Sequence, residues 1–421
     1  MLHDLTIEGR IVNPKAMHDA QIAIDNGYIT AIRKQGLKGE RKIDAQRCLI
    51  FPGFIDLHAH LREDSSHKWD YKEDFKSGTA AALHGGITTV IDMPNTPLPG
   101  ISTDRLIKKK ELARTKGLID ILFYGGVTDS NINTIVEMQK EVIAYKIFLA
   151  ETTGGLYIRD EVLPKAIKAV EATSKPLVIH CEDQQVIEKM REGLKVKAHS
   201  ELRPEEAELS AVKKVLAAAS GDIKIDIAHV SVYRTLDLIG KKFHCEATPH
   251  HLFFSKKDVQ ENAFLKVNPP LRSEENRLRL LDAFKCGKID FLVTDHAPHT
   301  KEEKARDFLE APAGVPNLDT YGNFVSWLIV RCDVHPMLIS RVCAYNPAGF
   351  LGLHDRGSIE VGKKANLTIL DVQKRVKIRT ERLYTKCGWS PFGGYEFPGA
   401  VRHVIFNGIV VTEGEEIIEV K

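Results

Sequence analysis

The chain lacks the features that mark secreted, membrane-bound and nucleic-acid-binding proteins. Its seven cysteines among 421 residues are scattered without a C-x-x-C pair, which argues against a disulfide framework or a zinc ribbon. No apolar run approaches the roughly 18 residues that span a bilayer, and the first residues lack a signal peptide's basic and apolar stretches. Lysine plus arginine number 59 against 57 acidic residues, so a clustered basic surface for nucleic acid or anionic lipid is not indicated. We therefore expect a cytoplasmic protein that binds neither nucleic acid nor membrane.

The length fits one large domain and a modest second one. Hydrophobic residues make up 43 % and charged residues 28 % of the chain, as in ordinary globular proteins. Short strand patterns fill both ends, and the dipeptides Asn26-Gly27 and Asn407-Gly408 are typical of tight hairpin turns. These patterns predict a small β-sandwich domain composed of residues 1–53 and 351–421.

The middle of the chain, residues 54–350, alternates between strand and helix patterns. The predicted strands cover residues 54–60, 88–93, 119–124, 144–149, 177–180, 223–229, 244–248 and 291–294. Predicted helices between them include residues 103–116, 161–173, 204–219 and 274–286. This α/β alternation predicts a (β/α)₈ barrel of the TIM type, in which the chemistry lies at the C-terminal ends of the strands.

Histidines stand where several of these strands end. His58 and His60 are two residues apart, so they point to the same side of a strand and could bind one ion; two hydrogen-bonded histidines would give the same pattern. His180 and His229 each end an apolar strand, where a packed histidine is the common alternative. Asp295 ends the eighth strand. Four imidazoles and a carboxylate at one barrel mouth favour a site for two metal ions.

Lys146 lies inside the apolar strand 144–149. A lysine in this position is unfavourable unless it is paired or neutralised, although it could also extend to the rim. The alternative is that CO₂ carboxylates the amine and that the resulting carbamate bridges two metal ions. The charges of such a centre would suit an anionic substrate.

Two further positions could contact that substrate. Arg62 has the same strand parity as His58 and His60, and Asn95 in Met93-Pro94-Asn95-Thr96 could either begin a turn or help Arg62 to bind a carboxylate. Residues 151–156 have the small side chains of a mobile lid, or of an ordinary loop. His250, His251 and His199 are predicted to be structural or surface residues.

These segments resemble the amidohydrolase superfamily and, within it, the dihydroorotases. The resemblance runs nearly end to end. It is carried by the segments P-G-F-I-D-L-H-A-H-L-R (52–62), G-G-I-T-T-V (85–90), M-P-N-T (93–96), Y-K-I-F-L (145–149), A-H-V-S (228–231), T-P-H-H-L (248–252), N-P-P-L-R (268–272), D-H-A-P-H-T (295–300) and G-S-I-E-V-G (357–362). The H-x-H and D-H-A-P-H segments are specific for the superfamily, and Arg62 with Asn95 favours the dihydroorotases.

The resemblance implies a zinc-dependent cyclic amidohydrolase that interconverts L-dihydroorotate and N-carbamoyl-L-aspartate in pyrimidine biosynthesis. It implies two zinc ions per subunit, bound by His58, His60, His180, His229, Asp295 and an N6-carboxylated Lys146 that bridges them. Asp295 would also act as the catalytic base and acid. A homodimer is implied as well, and an association with aspartate transcarbamoylase is left open.

The resemblance assigns the remaining site residues to the substrate. Arg62, Asn95 and His299 would hold the substrate carboxylate. Asn268 would present backbone groups to the ring, and Thr152 would lie in the loop that closes over it.

One segment departs from the family pattern, and two other functions stay open. The family usually continues H-L-R-E-P-G, whereas Arg62-Glu63 here leads into residues 64–70, so this turn is remodelled. A hydantoinase, dihydropyrimidinase or allantoinase would use the same metal site on a ring without the carboxylate. A non-catalytic scaffold for other pyrimidine enzymes is the third interpretation, although such proteins usually lose ligands that are all present here.

Overall fold

Two β-sheets of eight strands each organise the protein. The computed structural model describes residues 2–193, 198–259 and 262–418. The strands are β1 (Leu2–Val12), β2 (Met17–Asp25), β3 (Tyr28–Arg33), β4 (Lys38–Pro52), β5 (Phe54–Ala59), β6 (Ile87–Asp92), β7 (Asp120–Gly126), β8 (Ala144–Phe148), β9 (Leu177–His180), β10 (Ile225–Ile227), β11 (His244–Ala247), β12 (Phe291–Leu292), β13 (Leu367–Asp371), β14 (Val376–Lys377), β15 (Glu396–Phe397), β16 (Ala400–Phe406), β17 (Ile409–Glu413) and β18 (Glu416–Ile417). Strands β14 and β15 form a separate two-stranded ribbon.

Helices fill most of the connections between the barrel strands. The α-helices are α1 (Phe75–His84), α2 (Thr103–Lys116), α3 (Leu163–Glu171), α4 (Gln184–Gly193), α5 (His199–Leu202), α6 (Glu205–Ala218), α7 (Arg234–Ile239), α8 (Pro249–Phe253), α9 (Lys256–Val259), α10 (Glu274–Lys285), α11 (Lys301–Lys304), α12 (Tyr321–Val330), α13 (Pro336–Ser340) and α14 (Asn346–Leu351). Within the three described ranges, no helix is both long enough and apolar enough to cross a membrane.

The first sheet, called here the terminal sheet, joins the two ends of the chain in the order β18-β17-β16-β13-β4-β1-β2-β3. The long strand β4 links its halves, because it pairs with β1 in parallel and with β13 in antiparallel orientation. Both predicted hairpin turns are present: Asn26 and Gly27 have φ values of 50° and 83°, and Asn407 and Gly408 have 49° and 80°. Positive φ at both central residues matches the twist of the flanking strands.

Aliphatic side chains from both ends of the chain form the core of this sheet. Its buried members are Leu5, Ile7, Ile11, Ala20, Ile22, Ile24, Ile29, Ile43, Ala45, Cys48, Ile50, Ile359, Ala365, Leu367, Ile369, Ile405 and Val410. The prediction of a β domain built from both termini is therefore confirmed. The strands predicted as a sandwich are hydrogen-bonded in one continuous sheet. The domain boundaries at residues 53 and 351 stay a prediction.

The second sheet, the barrel sheet, has the order β5 to β12, with every neighbouring pair parallel. The first and last strands of this sheet, β5 and β12, meet and bring the barrel close to closure. Ala59 forms a parallel bridge with His296, and His60 N donates to His296 O at 2.8 Å. All eight predicted barrel strands are found, which confirms the TIM-like barrel.

Two strands at the barrel mouth are shorter than the sequence predicts. The strand predicted over 223–229 covers Ile225–Ile227, and the one predicted over 291–294 covers Phe291–Leu292. The chain leaves the regular ladder there, since His229 and Asp295 adopt positive φ values of 36° and 42°. The residues that follow each strand thereby turn into the mouth.

Candidate metal centre and active site

One cleft at the C-terminal ends of the barrel strands collects most of the predicted site residues. Its lining residues are His58, His60, Arg62, Asn95, Phe148, Thr152, Thr153, His180, His229, Asn268, Asp295, Ala297, Ala313 and Gly314. Lys146 and His299 are not among the lining residues, although both are buried beside it. The regular alternation of strand and helix explains this convergence, because a closed parallel barrel brings all strand ends to one face.

His58, His60 and Asp295 form the first part of the centre. Asp295 Oδ1 lies 3.5 Å from His58 Nε2 and 3.4 Å from His60 Nε2. The other ring nitrogens have partners: Nδ1 of His58 lies 2.8 Å from Glu246 Oε2, and Nδ1 of His60 lies 2.7 Å from Asn95 Oδ1. A metal-binding histidine typically has such a partner behind it, which fixes the ring and aims the free nitrogen. The three ligand atoms lie within 4.8 Å of one another and could hold one metal ion.

His180 and His229 form the second part. Nδ1 of His180 lies 3.0 Å from Nε2 of His229, and Nε2 of His180 lies 2.9 Å from Glu182 Oε2. The two parts adjoin each other, since the ring centroids of His58 and His229 are 5.1 Å apart. Burial lowers the pKa of both His180 and His229 below the ordinary value, so these imidazoles are neutral, the form that binds metal.

Lys146 lies on β8, next to the strand that ends in His180, and its side chain is fully buried. Its Nζ has no hydrogen-bond partner among the described residues and lies 5.1 Å from the ring centroid of Phe148, which lines the cleft. Burial lowers the pKa of this amine, while the carboxylates of Glu246 and Asp295 oppose the shift. An orphaned buried amine is costly to the fold, and its position among imidazoles and carboxylates fits a metal-binding role.

Arg62 lines the cleft, but not because it shares the strand parity of His58 and His60. Strand β5 ends at Ala59, and a positive φ of 63° turns Arg62 inward. The guanidinium is buried, and its Nε and Nη1 have no hydrogen-bond partner among the described residues. Burial lowers its pKa to about 10, so the group remains cationic at neutral pH. It lies 5.8 Å from the ring centroid of Trp69, a residue of the remodelled turn.

Asn95 and Thr152 lie together at the edge of the cleft. Both ends of the Asn95 amide have partners, because Oδ1 pairs with His60 and Nδ2 donates to Thr153 O at 2.7 Å. The buried Thr152 Oγ1 has no partner within the part of the chain that the structure describes. Asn95 therefore connects the predicted lid to a candidate metal ligand.

His299 and Asn268 are placed by neighbours from outside the barrel ladder. Nδ1 of His299 lies 3.2 Å from Lys72 Nζ, and burial lowers the pKa of His299 to about 3. Oδ1 of Asn268 lies 2.7 Å from His199 Nε2. The predicted packing role of His199 is thus made specific: it supports the segment that carries Asn268.

The sequence interpretation missed the carboxylates behind the histidines. Glu182 follows His180 by only two residues, so the sequence itself indicated a carboxylate close to that histidine. Glu182 also accepts a hydrogen bond from Arg203 at 2.7 Å. Glu246 lies on β11 and accepts from His229 N at 3.0 Å in addition to contacting His58. Like Lys146, Glu246 is a charged residue inside a buried strand. Its position in an apolar strand could have indicated a functional carboxylate.

A closed α/β barrel with imidazoles, a buried lysine and carboxylates at its mouth defines the class of barrel hydrolases that carry a metal centre. Comparison with known proteins gives the family: residues 49–411 match the amidohydrolase family. The chain belongs to the amidohydrolase family.

The relatives within that family carry more specific names. The chain is 35 % identical over 428 residues to a protein named dihydroorotase from Thermococcus kodakarensis, covering 99 % of this chain and 97 % of the relative. It is 35 % identical to a dihydroorotase of Methanosarcina acetivorans, covering 97 % and 90 %. Among solved structures, the L-hydantoinase (dihydropyrimidinase) of Arthrobacter aurescens matches with a TM-score of 0.94 and 26 % identity, covering 99 % and 98 %. The family resemblance is confirmed, and the roles of individual site residues stay predictions.

Proposed function

We propose that this protein is a dihydroorotase, which hydrolyses the ring amide of L-dihydroorotate to N-carbamoyl-L-aspartate and catalyses the reverse cyclisation. The observation that carries the proposal is Arg62, a buried cation whose Nε and Nη1 lack partners among the described residues and which lines the same cleft as the histidines. A guanidinium of this kind suits a substrate carboxylate. The names of the archaeal relatives support the same substrate.

The donor set fits two zinc ions, since neutral imidazoles and carboxylates are ligands that zinc accepts. The residues that would hold them are His58, His60 and Asp295 for one ion, His180 and His229 for the other, and a carboxylated Lys146 as the bridge. Burial favours the neutral amine of Lys146, the form that can attack CO₂. Bound metal ions would lower the pKa of water toward about 7 and polarise the ring carbonyl.

Asp295 is the residue that would move the proton. In the hydrolytic direction a water oxygen bonds to the amide carbon, Asp295 accepts its proton, and the ring C–N bond breaks as Asp295 returns the proton to nitrogen. The product carboxylate is ionised at neutral pH, so ring opening releases one proton to solvent. High pH therefore favours opening, and low pH favours closure.

Arg62 and His299 would share the recognition of the ring carboxylate. Nε2 of His299 is buried without a partner among the described residues, so it can donate to an anion once Nδ1 accepts from Lys72. The Asn95 amide already holds His60 and Thr153. We therefore assign Asn95 the additional role of coupling the lid to the metal centre.

The second candidate function is hydrolysis of an uncharged cyclic amide, which the match to the L-hydantoinase structure favours. The test compares L-dihydroorotate, a 5-substituted hydantoin and allantoin as substrates of the zinc-loaded wild type and of Arg62→Met. We expect selective turnover of dihydroorotate and a loss of about 100-fold in kcat/KM in the variant. Arg62→Lys is the matched control, because it keeps the charge but loses the planar fork.

The alternatives have distinct outcomes. Turnover of the neutral rings alone, with no effect of Arg62→Met, would keep the metal site and overturn the substrate. Absence of turnover with zinc bound would support the scaffold interpretation. The cytoplasmic location, the homodimer and the association with aspartate transcarbamoylase stay predictions.

A further inference from the structure

Lys304, the last residue of α11, is a fully buried lysine that binds backbone carbonyls. Its Nζ donates to Lys266 O at 3.2 Å, Pro312 O at 2.9 Å and Gly314 O at 3.0 Å. In its protonated form the side chain has three donors, and all of them are used.

The three carbonyls belong to two segments that line the cleft, residues 266–268 and 312–314, which are called here the walls. Lys266 directly precedes Val267 and Asn268, and Asn268 lines the cleft. Pro312 and Gly314 flank Ala313, and both Ala313 and Gly314 line it. The segments also bind each other, because Gly314 N donates to Lys266 O at 2.9 Å. One ammonium therefore joins both walls.

The same ammonium ties these walls to the segment that carries Asp295 and His299. Lys304 lies five residues after His299 on a helix that the capping box of Thr300 and Glu303 fixes. Gly314 packs closely on this segment: at its φ of 138°, an added Cβ would lie 2.4 Å from Ala297 O and 3.2 Å from His299 Cδ2. Lys304 adds a direct link between these walls and the segment that carries His299.

Burying this cation is unfavourable, and the chain offsets the cost with the three backbone carbonyls and with the ring of Trp389, whose centroid lies 5.8 Å from Nζ. Hydrogen bonds to a charged donor are about twice as strong as neutral ones. Burial nevertheless lowers the pKa of Lys304 to about 7, with Lys266 as the neighbouring charge that adds to the shift. A methionine would fill the same space without that desolvation, so packing alone does not explain a lysine here.

We propose that Lys304 is a positioning residue that holds the walls around Asn268 and Gly314 against the ring of the bound substrate. This inference rests on the proposed function for the identity of the ring. The bound ring would contact these walls throughout the reaction. Loss of the contacts would therefore weaken the binding of the substrate and of the transition state equally. Loss of such uniform binding raises KM and leaves kcat nearly unchanged.

The test uses the full-length, zinc-loaded protein with Lys304→Met, which keeps the apolar stem, and Lys304→Gln, which restores N–H donors. Hydrogen exchange is measured on peptides that contain Asn268 and Gly314, beside kcat and KM for L-dihydroorotate, zinc content and the melting temperature. We expect faster exchange in both peptides, an increase in KM of about tenfold and a kcat within about threefold of wild type for Lys304→Met. Lys304→Gln should lie between the two.

Lys242→Met is the control for removal of a lysine that binds carbonyls. Lys242 Nζ donates to Leu216 O at 3.3 Å and Ala219 O at 2.9 Å, and neither residue lines the cleft. This variant should leave exchange at Asn268 and Gly314 unchanged.

Two results would overturn the proposal: unchanged exchange and KM in Lys304→Met, or a lower melting temperature in both Lys304 variants with KM unchanged. If Lys304→Met does not fold, Lys304→Gln decides by the same measurements. The exchange result holds whichever ring the wild type hydrolyses, so failure of the proposed substrate is a separate outcome.

Discussion

The terminal sheet and the barrel mouth bury their residues on opposite principles. The core of the terminal sheet is almost entirely aliphatic, with isoleucines from both ends of the chain in contact. The mouth buries four histidines, Lys146, Arg62 and Asp295, and polar atoms of several of them lack a partner among the described residues. Apolar burial stabilises a fold directly, whereas unpaired buried polar groups oppose it.

The difference shows where the fold gives up stability for chemistry. Arg62, His229 and Asp295 also adopt positive φ, a conformation that is unfavourable for side-chain-bearing residues. Strain and orphaned polar groups coincide at the mouth, as expected for a functional site. Changes at the mouth should therefore alter activity, and changes in the terminal sheet should alter stability.

The strongest expected effect is at Lys146. Lys146→Ala removes the group that would bridge two metal ions, so we expect zinc content to fall and turnover of dihydroorotate to drop by about 1000-fold or more. Added acetate should restore part of the activity, because a small carboxylate can occupy the space of the missing carbamate. Unchanged zinc content and turnover would mean that Lys146 is only a packed residue.

The matching experiment in the terminal sheet is Ile369→Ala. Ile369 is fully buried in that core, and such a truncation costs about 2–5 kcal/mol of unfolding free energy. Urea unfolding should show this loss, while zinc content, kcat and KM stay at wild-type values. Ile409→Ala in the same sheet is the control, since Ile409 is 52 % exposed and should change stability by less than about 0.5 kcal/mol. A large change in kcat for Ile369→Ala would break the proposed separation of the two regions.

An intermediate effect is expected from Glu246→Gln. Glu246 Oε2 contacts both His58 Nδ1 and His229 N, so it orients groups of both halves of the centre. The variant keeps the shape but loses the charge, and we expect zinc affinity to fall about 10- to 100-fold in a chelator competition. Equal zinc affinity in variant and wild type would show that Glu246 is a structural carboxylate.

The sequence was sufficient for those features that depend on local patterns. Short strand patterns and the two Asn-Gly turns predicted the β domain at the termini. Histidines at strand ends predicted the mouth, because barrel closure brings strand ends together. Contacts between distant segments were not predictable in this way. Glu246 lies 188 residues from His58, and the inward turn of Arg62 depends on a backbone angle that strand parity does not contain.

The smallest expected effect concerns acid stability and His251. Its Nδ1 accepts from Thr248 Oγ1 at 2.8 Å and its Nε2 donates to Pro269 O at 2.9 Å. The bond from Thr248 requires the neutral ring, because protonation would remove the lone pair of Nδ1. Burial lowers the pKa of His251 to about 4, whereas an unfolded histidine titrates near about 6.5. Between these values the unfolded state takes up a proton that the folded state refuses, so stability falls as pH decreases, by up to about 1.4 kcal/mol per pH unit.

Urea unfolding between pH 7.5 and pH 4.5 measures this contribution. His251→Gln removes the titrating group and should give a shallower decrease in unfolding free energy than wild type, with little difference above about pH 7. His18→Gln, at an exposed position of β2, is the control for a histidine-to-glutamine exchange outside the barrel. Identical slopes in all three proteins would show that His251 accepts its proton without loss of the fold. In that case the penalty for protonating a buried histidine of the barrel would be confined to the histidines of the candidate metal centre.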